Sequence, residues 1–307
     1  MIPPLPKLAV LLVHYSNIET TAQCLGDLLA QDYPSFALFI TDNSTDQGDM
    51  DWLAERFTNE MQEGLIHWNH LGENLGYGGG MNRAAAEAQK WEAELFLVIN
   101  NDTRMAPDFL RGMVQGSFNL LEREDFGLSV PLILEGEGPG VYYAGGHLDL
   151  KRCMGVHHLL PLSGDEPQEV DFATGCCWLI RAKRYAELEG FIEDYFLYFE
   201  DFDFCYRLDQ AGYRQYFLPQ VTLHHDVGGS TGGDDSPIPV YYGTRNRILW
   251  MERNGLAGWG FYLFYFTSRL IKAMVWLLTG KWGILKPLTL GLIDGLRGQI
   301  GKSRRVI

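Results

Sequence analysis

The 307-residue chain is predicted to be an α/β protein: a doubly wound, mostly parallel sheet followed by a helical C-terminal tail that is apolar and basic. Three observations carry this expectation. Short apolar runs alternate with helix-like segments along the first third of the chain, most of these runs end in a polar or glycine-rich cluster, and the composition changes near Gly255. Strands that alternate with helices imply parallel pairing through crossover helices. Ligands of such sheets sit at the carboxyl ends of the strands.

The elements follow in order. Residues 8–13 are a buried strand, and 18–31 carry Leu25, Leu28 and Leu29 at helical spacing. Residues 37–41 form a second strand that stops at Asp42-Asn43-Ser44, and 51–63 read as one helix. Residues 65–68 are a third strand, 72–80 a glycine-rich loop and 81–91 an alanine-rich helix. Residues 95–99 are a fourth strand, ending at Asn100-Asn101-Asp102. Beyond Phe126 the pattern becomes irregular, with strands expected at 127–134 and 141–150 in a smaller mixed region and another apolar run at 170–180. Residues 181–189 look helical, and 191–212 combine aromatic and acidic residues. The expected organisation is a domain over 1–254, divided near 125, and a helical segment over 255–307.

The net charge of -14 argues against nucleic-acid binding, which needs a basic footprint. The charge is uneven: residues 255–307 carry +7 and residues 1–254 carry -21. An acidic body with a basic apolar tail points to an anionic lipid surface as one partner. The five cysteines include no CxxC and no Cys/His zinc spacing, which fits a reducing compartment, and Cys176-Cys177 in an apolar run reads as buried thiols. The N-terminus has no basic region ahead of an apolar core, so no signal peptide is expected.

Six clusters can carry chemistry, and each also has a plain structural reading. Asp42, at a strand end, can accept the imide N–H of a uracil or thymine base; Asp, Asn and Ser together also simply make turns. The stretch from Gly72 to Arg83 has glycines that let a backbone approach phosphate ahead of a helix, or it is a flexible loop. Asp102 can hold a hard divalent cation beside a diphosphate, or cap a turn before Pro107. Glu200, Asp201 and Asp203 sit among aromatic residues, whose packing can raise a carboxylate pKa toward general-base work; a solvated charge run is the alternative. His224-His225, ahead of Val227 and a Gly228-Gly229-Ser230 turn, offers an imidazole for a metal or for the core. Arg245 and Arg247 can pair with a diphosphate or begin an ordinary basic helix.

In this order the clusters resemble family 2 inverting glycosyltransferases with a GT-A fold, most closely the bacterial rhamnosyltransferase-like members that build cell-surface polysaccharides. The resemblance covers about residues 8–254. It implies a Rossmann-like nucleotide-sugar half and an acceptor half. It also implies that Asp42 binds the base, and that Asn74, Gly76, Gly79, Asn82 and Arg83 belong to a donor-binding glycine loop. Asn100-Asn101-Asp102 then stands in place of a DxD motif, with Asn100 and Asn101 on the donor side and Asp102 on the metal side; the first acid is replaced by Asn100. Glu200-Asp201 resembles the catalytic pair with Asp201 as base, His225 the metal-side imidazole, and Arg245-Asn246 the late motif near the diphosphate.

The resemblance implies transfer of a sugar, rhamnose among the candidates, from a nucleoside-diphosphate sugar to a saccharide or lipid-linked hydroxyl, with Mg2+ or Mn2+. Competing readings are a non-catalytic nucleotide-sugar or polysaccharide-binding protein and a sugar nucleotidyltransferase; the latter expects a basic glycine loop after the first strand, where this chain has His14-Tyr15-Ser16-Asn17. The tail, interrupted by Arg269 and Lys272, is expected to lie in a membrane interface or to form a hairpin or subunit contact. The expected location is cytoplasmic, peripheral on the inner face of the cell membrane, with a homo-oligomer as an option.

Overall fold

The computed structural model describes residues 5–160, 164–226 and 235–305. The first part of the chain runs β1 (Leu8–His14), α1 (Ile18–Leu29), β2 (Phe36–Asp42), α2 (Gly48–Arg56), α3 (Thr58–Gln62), β3 (Ile66–His70), α4 (Gly76–Lys90) and β4 (Leu95–Ile99). Next come β5 (Thr103–Arg104), α5 (Phe109–Gly116), α6 (Phe118–Leu121), β6 (Phe126–Glu135), β7 (Val141–Tyr143), β8 (Gly146–Asp149), β9 (Met154–His157), β10 (Gln168–Val170), β11 (Cys177–Arg181) and α7 (Ala182–Glu187). The chain closes with α8 (Glu200–Gln210), β12 (Arg214–His225), α9 (Pro237–Arg253), α10 (Trp259–Leu278) and α11 (Leu285–Leu296).

The main sheet has the order β10-β12-β6-β11-β4-β1-β2-β3, with β5 paired to β12 and β7 to β6. β1 is buried along its whole length and lies between β2 and β4, both parallel to it, and β3 continues the parallel set. This is the continuous apolar strand that a sheet covered on both faces requires. The later strands form a mixed set, as their irregular pattern implied. β11 runs antiparallel to both β4 and β6, while β12 runs parallel to β6. Reversing β11 places its amino end on the edge where β1, β2, β3, β4, β6 and β12 place their carboxyl ends, so polar residues from seven strands meet on one rim.

Two local expectations change. The helix expected over 51–63 is two, because Phe57 leaves helical geometry (φ -117, ψ 33) and is buried, and the Thr58 hydroxyl bonds back to the Ala54 and Glu55 carbonyls. The glycine-rich loop is largely helix, since α4 begins at Gly76. A Cβ on Gly78 would lie 3.0 Å from Phe191 Cβ, and one on Gly80 2.7 Å from Val13 Cγ2. These glycines let α4 press against β1 and the segment after α7.

The tail folds back on the body. Cβ positions on Gly291 and Gly295 of α11 would fall 2.7 Å from Tyr241 O and 3.1 Å from Arg245 O, so α11 and α9 pack almost backbone to backbone. Among the described residues α10 is the one helix long and apolar enough to cross a membrane, by length and composition.

Gly76 joins the two halves. It has φ +77, its carbonyl accepts Asn43 Nδ2 at 2.8 Å, and an added Cβ would lie 2.0 Å from Phe196 O. Gly76→Ala is therefore expected to destabilise the protein by about 3 kcal/mol, combining left-handed strain with overpacking, read from its urea unfolding midpoint.

Candidate active site

On the shared rim lies a cavity of about 550 Å3. From the first part of the chain its wall takes Tyr15, Asn43, Asn74, Gly76, Tyr77, Asn100, Asn101 and Asp102; from the later part it takes Tyr142, Thr174, Gly175, Cys176, Glu200, Asp201 and His225, with Ile238 and Pro239 at the start of α9.

Strand pairing brings Asp102 and His225 together. β5 pairs with the end of β12 so that Thr103 faces His225, and Asp226 N–H donates to the Asp102 carbonyl at 3.0 Å. His225 Nε2 then lies 3.1 Å from Asp102 Oδ1. Burial opposes a charge on His225, but the Cys176 sulfur and the Asp102 carboxylate outweigh it and hold its pKa well above the ordinary imidazole value. Asn100 Oδ1 beside the pair is buried with no hydrogen-bond partner. A carboxylate and an imidazole with an unsatisfied amide oxygen beside them fit a divalent cation that takes its remaining ligands from phosphate and water. Among the described residues no three His, Cys, Asp or Glu side chains form a complete cage.

Asp201 sits in the first turn of α8, beside the amino end of β11. Its Oδ2 accepts the Gly175 N–H at 3.0 Å and its Oδ1 the Phe202 N–H at 2.7 Å. Burial raises its pKa, and these two N–H groups hold the rise in check. Glu200 is pushed up to about 8, first by burial and then by the neighbouring Asp201 charge. Two adjacent carboxyls thus differ: Glu200 keeps its proton at neutral pH and has a buried, unpartnered Oε2, whereas Asp201 is fixed in direction. Asp203 is spent on structure, bonded to Tyr195 OH at 3.2 Å and Arg207 Nε at 2.7 Å.

Several expected donor residues lie outside this wall. Asp42 is fully buried and is not part of the wall; its Oδ1 accepts the Ser44 N–H at 2.8 Å and its Oδ2 pairs with His70 Nδ1 at 2.7 Å. Gly79 is packed, with a would-be Cβ 2.8 Å from Leu75 Cβ. Asn82 bonds Phe191 N–H, Phe191 O and Tyr185 OH, and Arg83 pairs with Glu193 at the surface. Both tie α4 to the segment after α7. Arg245, only 1% exposed, donates to the carbonyls of Tyr195 at 2.8 Å and Gly301 at 2.6 Å. Its guanidinium organises backbone and does not reach the cavity, because burial in α9 surrounds it with carbonyls that a diphosphate would have to displace. The Val227–Ser230 turn after His225 lies outside the described residues.

Sequence reading missed Tyr77, whose hydroxyl bonds Gly175 O at 2.9 Å, and Gly175 itself, the donor that aims Asp201. The one signal for Gly175 was a glycine inside an apolar run just before a strand.

The model described as glycosyl transferase family 2 matches residues 9–188, more than half of the chain, and the protein belongs to that family of sugar-transferring enzymes. The N-acetylglucosaminyl-diphospho-decaprenol L-rhamnosyltransferase of Mycobacterium tuberculosis is 26% identical over 276 residues, covering 82% of this chain and 86% of that enzyme. The low-salt glycan biosynthesis hexosyltransferase Agl10 of Haloferax volcanii is 23% identical over 309 residues, covering 98% of this chain and 95% of that relative. In fold, the chain resembles GalNAc-T7, solved with UDP, GalNAc and Mn2+, at TM-score 0.64 and 16% identity; the match covers 81% of this chain but 48% of that longer one. It also resembles TarS 1-349 of S. aureus, solved with UDP, at TM-score 0.52 and 16% identity over 79% of this chain and 65% of that one. The fold is accordingly the GT-A type.

Glu200 carries a pH signature. Its pKa rises from 4.5 in the open chain to about 8 in the fold, so the folded state holds a proton that the unfolded state releases. Its contribution to stability is whole below pH 4.5 and is lost as pH rises toward about 8. Glu200→Gln keeps the neutral shape, and the decline in urea midpoint across that window is expected to flatten in the variant.

Proposed function

We propose that the enzyme transfers a sugar with inversion, in one displacement, from a nucleoside-diphosphate sugar to a hydroxyl of a saccharide or lipid-linked acceptor at the cytoplasmic face of a membrane. The observation that carries this reading is Asp201, a part-buried carboxylate aimed by the Gly175 N–H and sharing one cavity with the Asp102–His225 pair. Asp201 accepts the proton of the attacking hydroxyl, and its raised pKa makes it a better base than an ordinary carboxylate. Asp102 and His225 would hold Mg2+ or Mn2+, which when bound offsets the charge of the departing diphosphate. Asn74, Gly76, Asn100 and Asn101 place polar and backbone groups on the donor side. Rhamnose is the first donor sugar to test, because the M. tuberculosis relative is named a rhamnosyltransferase, and that same name supports a polyprenyl-diphosphate-linked acceptor.

Asp201→Asn is nearly isosteric but accepts no proton. Transfer should fall about a hundredfold or more while donor affinity holds. The wild-type rate should climb with pH through an ionisation above the usual carboxylate range, a limb absent from the variant. Near-normal transfer by Asp201→Asn would remove it as the base.

Donor turnover is expected to stop in excess EDTA and return with Mn2+ or Mg2+. Asp102→Ala should need far more metal for half-maximal rate, and His225→Ala somewhat more. Full turnover by the EDTA-treated enzyme would sink the metal-assisted reading.

A further inference from the structure

We propose that the outward face of α10, with the adjoining end of α11, docks in the plane of an anionic lipid surface, and that the catalytic cavity opens beside this face to receive a lipid-linked acceptor from the same leaflet. The second half rests on the transfer reaction proposed above; the first does not.

The outward face of α10 is almost wholly apolar. Leu263, Leu270, Ile271, Met274, Val275 and Leu278 are exposed along it, Leu278 to 85%, and Trp259 at its start to 91%. The charges that seemed to interrupt this helix turn toward the protein. Arg269 lies over the Tyr265 ring at 5.2 Å, and Lys272 lies over Trp276 at 5.0 Å and 3.7 Å from Asp235. An apolar groove lined by Trp259, Leu263, Phe266 and Leu296 continues the face onto α11.

The same packing favours lying flat over crossing. Phe261, Tyr265 and Trp276 are buried against the body, and the first and last of them are separated by ~22 Å of helix. The helix is thus attached along most of its length. A crossing orientation would drag its flank, including Glu252 and Asp235, into hydrocarbon.

Charge selects the occupant. Lys286 and Arg297 are exposed at the two ends of α11, Lys302 and Arg304 are exposed just after it, and the segment from 255 onward carries +7 against -21 for the rest of the chain. Anionic head groups complement that charge, and the attraction acts within about a Debye length of the surface and weakens as salt is added. A second copy meeting the same face about a two-fold axis would oppose basic charge to basic charge.

The cavity wall lies next to the carboxyl end of α10. Trp276 packs with Val240 and Leu288, and Lys281 pairs with Asp235 at 2.6 Å. Ile238 and Pro239, between those two positions, line the cavity, and Ile238 is exposed. The carboxyl end of α10 and the cavity wall are therefore neighbours.

The test uses the full chain and sedimentation with vesicles of phosphatidylcholine, with and without phosphatidylglycerol. Salt-sensitive binding to the anionic vesicles is expected. The Ile271→Glu/Met274→Glu double variant should bind ~10-fold less or weaker still. It should keep the wild-type unfolding midpoint and its transfer to a soluble acceptor, and lose transfer to a lipid-linked acceptor in vesicles. Lys286→Glu/Arg297→Glu should lose the preference for phosphatidylglycerol. Equal vesicle binding by wild type and the apolar-face variant would overturn the proposal. So would a wild-type dimer that binds no vesicles and that the same variant dissociates. Vesicle binding by a wild type that transfers no sugar would overturn the reaction and leave the docking face standing.

Discussion

The active edge depends on a buried guanidinium and a buried amide. The segment ahead of α8 holds Phe196, Tyr198 and Phe199 at φ 65, 64 and 80, conformations that side chains with a Cβ resist. Each costs about 1–3 kcal/mol and persists only where the surroundings over-determine it. Arg245 and Asn246 supply that determination. Arg245 bonds the Tyr195 carbonyl, and Asn246 Nδ2 reaches those of Tyr195, Leu197 and Tyr198 at 3.0, 2.8 and 2.9 Å. Phe199 is the residue at which α8 begins, so the direction of α8, and with it Glu200 and Asp201, follows from this clamp. The tail takes part, since Gly301 donates to the Asp194 carbonyl at 2.6 Å and accepts from Arg245.

The reversal of β11 is the second constraint. It puts Thr174, Gly175 and Cys176 beside Asn100, whose N–H donates to the Cys176 carbonyl at 2.9 Å. The Gly175 N–H can then aim Asp201, while Cys176 stands next to the His225–Asp102 pair. Groups from the early and the late strands share one cavity because one strand runs against its neighbours. Burial raises the pKa of both adjacent acids; the Gly175 and Phe202 N–H groups hold back the rise at Asp201, and the Asp201 charge adds to the rise at Glu200.

Much of this was legible in the sequence where a local pattern has one dominant structural outcome. The apolar runs at β1, β2 and β4 and the helical periods of α1 and α4 marked out the parallel part of the sheet. Asp102 was marked by its place after a strand, Asp201 by acids set among aromatics. Asp42 and Arg245 were read for their chemistry, and that chemistry was right in kind: one accepts hydrogen bonds and the other donates them. Their partners were His70 and the carbonyls of Tyr195 and Gly301, which lie far along the chain, and no local pattern could report that burial had used them already.

By itself, then, the sequence determined the alternation of strands and helices, the acidic body and basic tail, and the residue types able to bind a cation or take a proton, because periodicity, charge and side-chain chemistry are local or additive. Tertiary structure alone decided which of those residues face the cavity, that His225 meets Asp102, that Gly175 aims Asp201, and that Arg269 and Lys272 turn inward from an apolar face. Those are outcomes of strand order and helix packing, where residues distant in sequence compete for the same few positions and burial chooses among them.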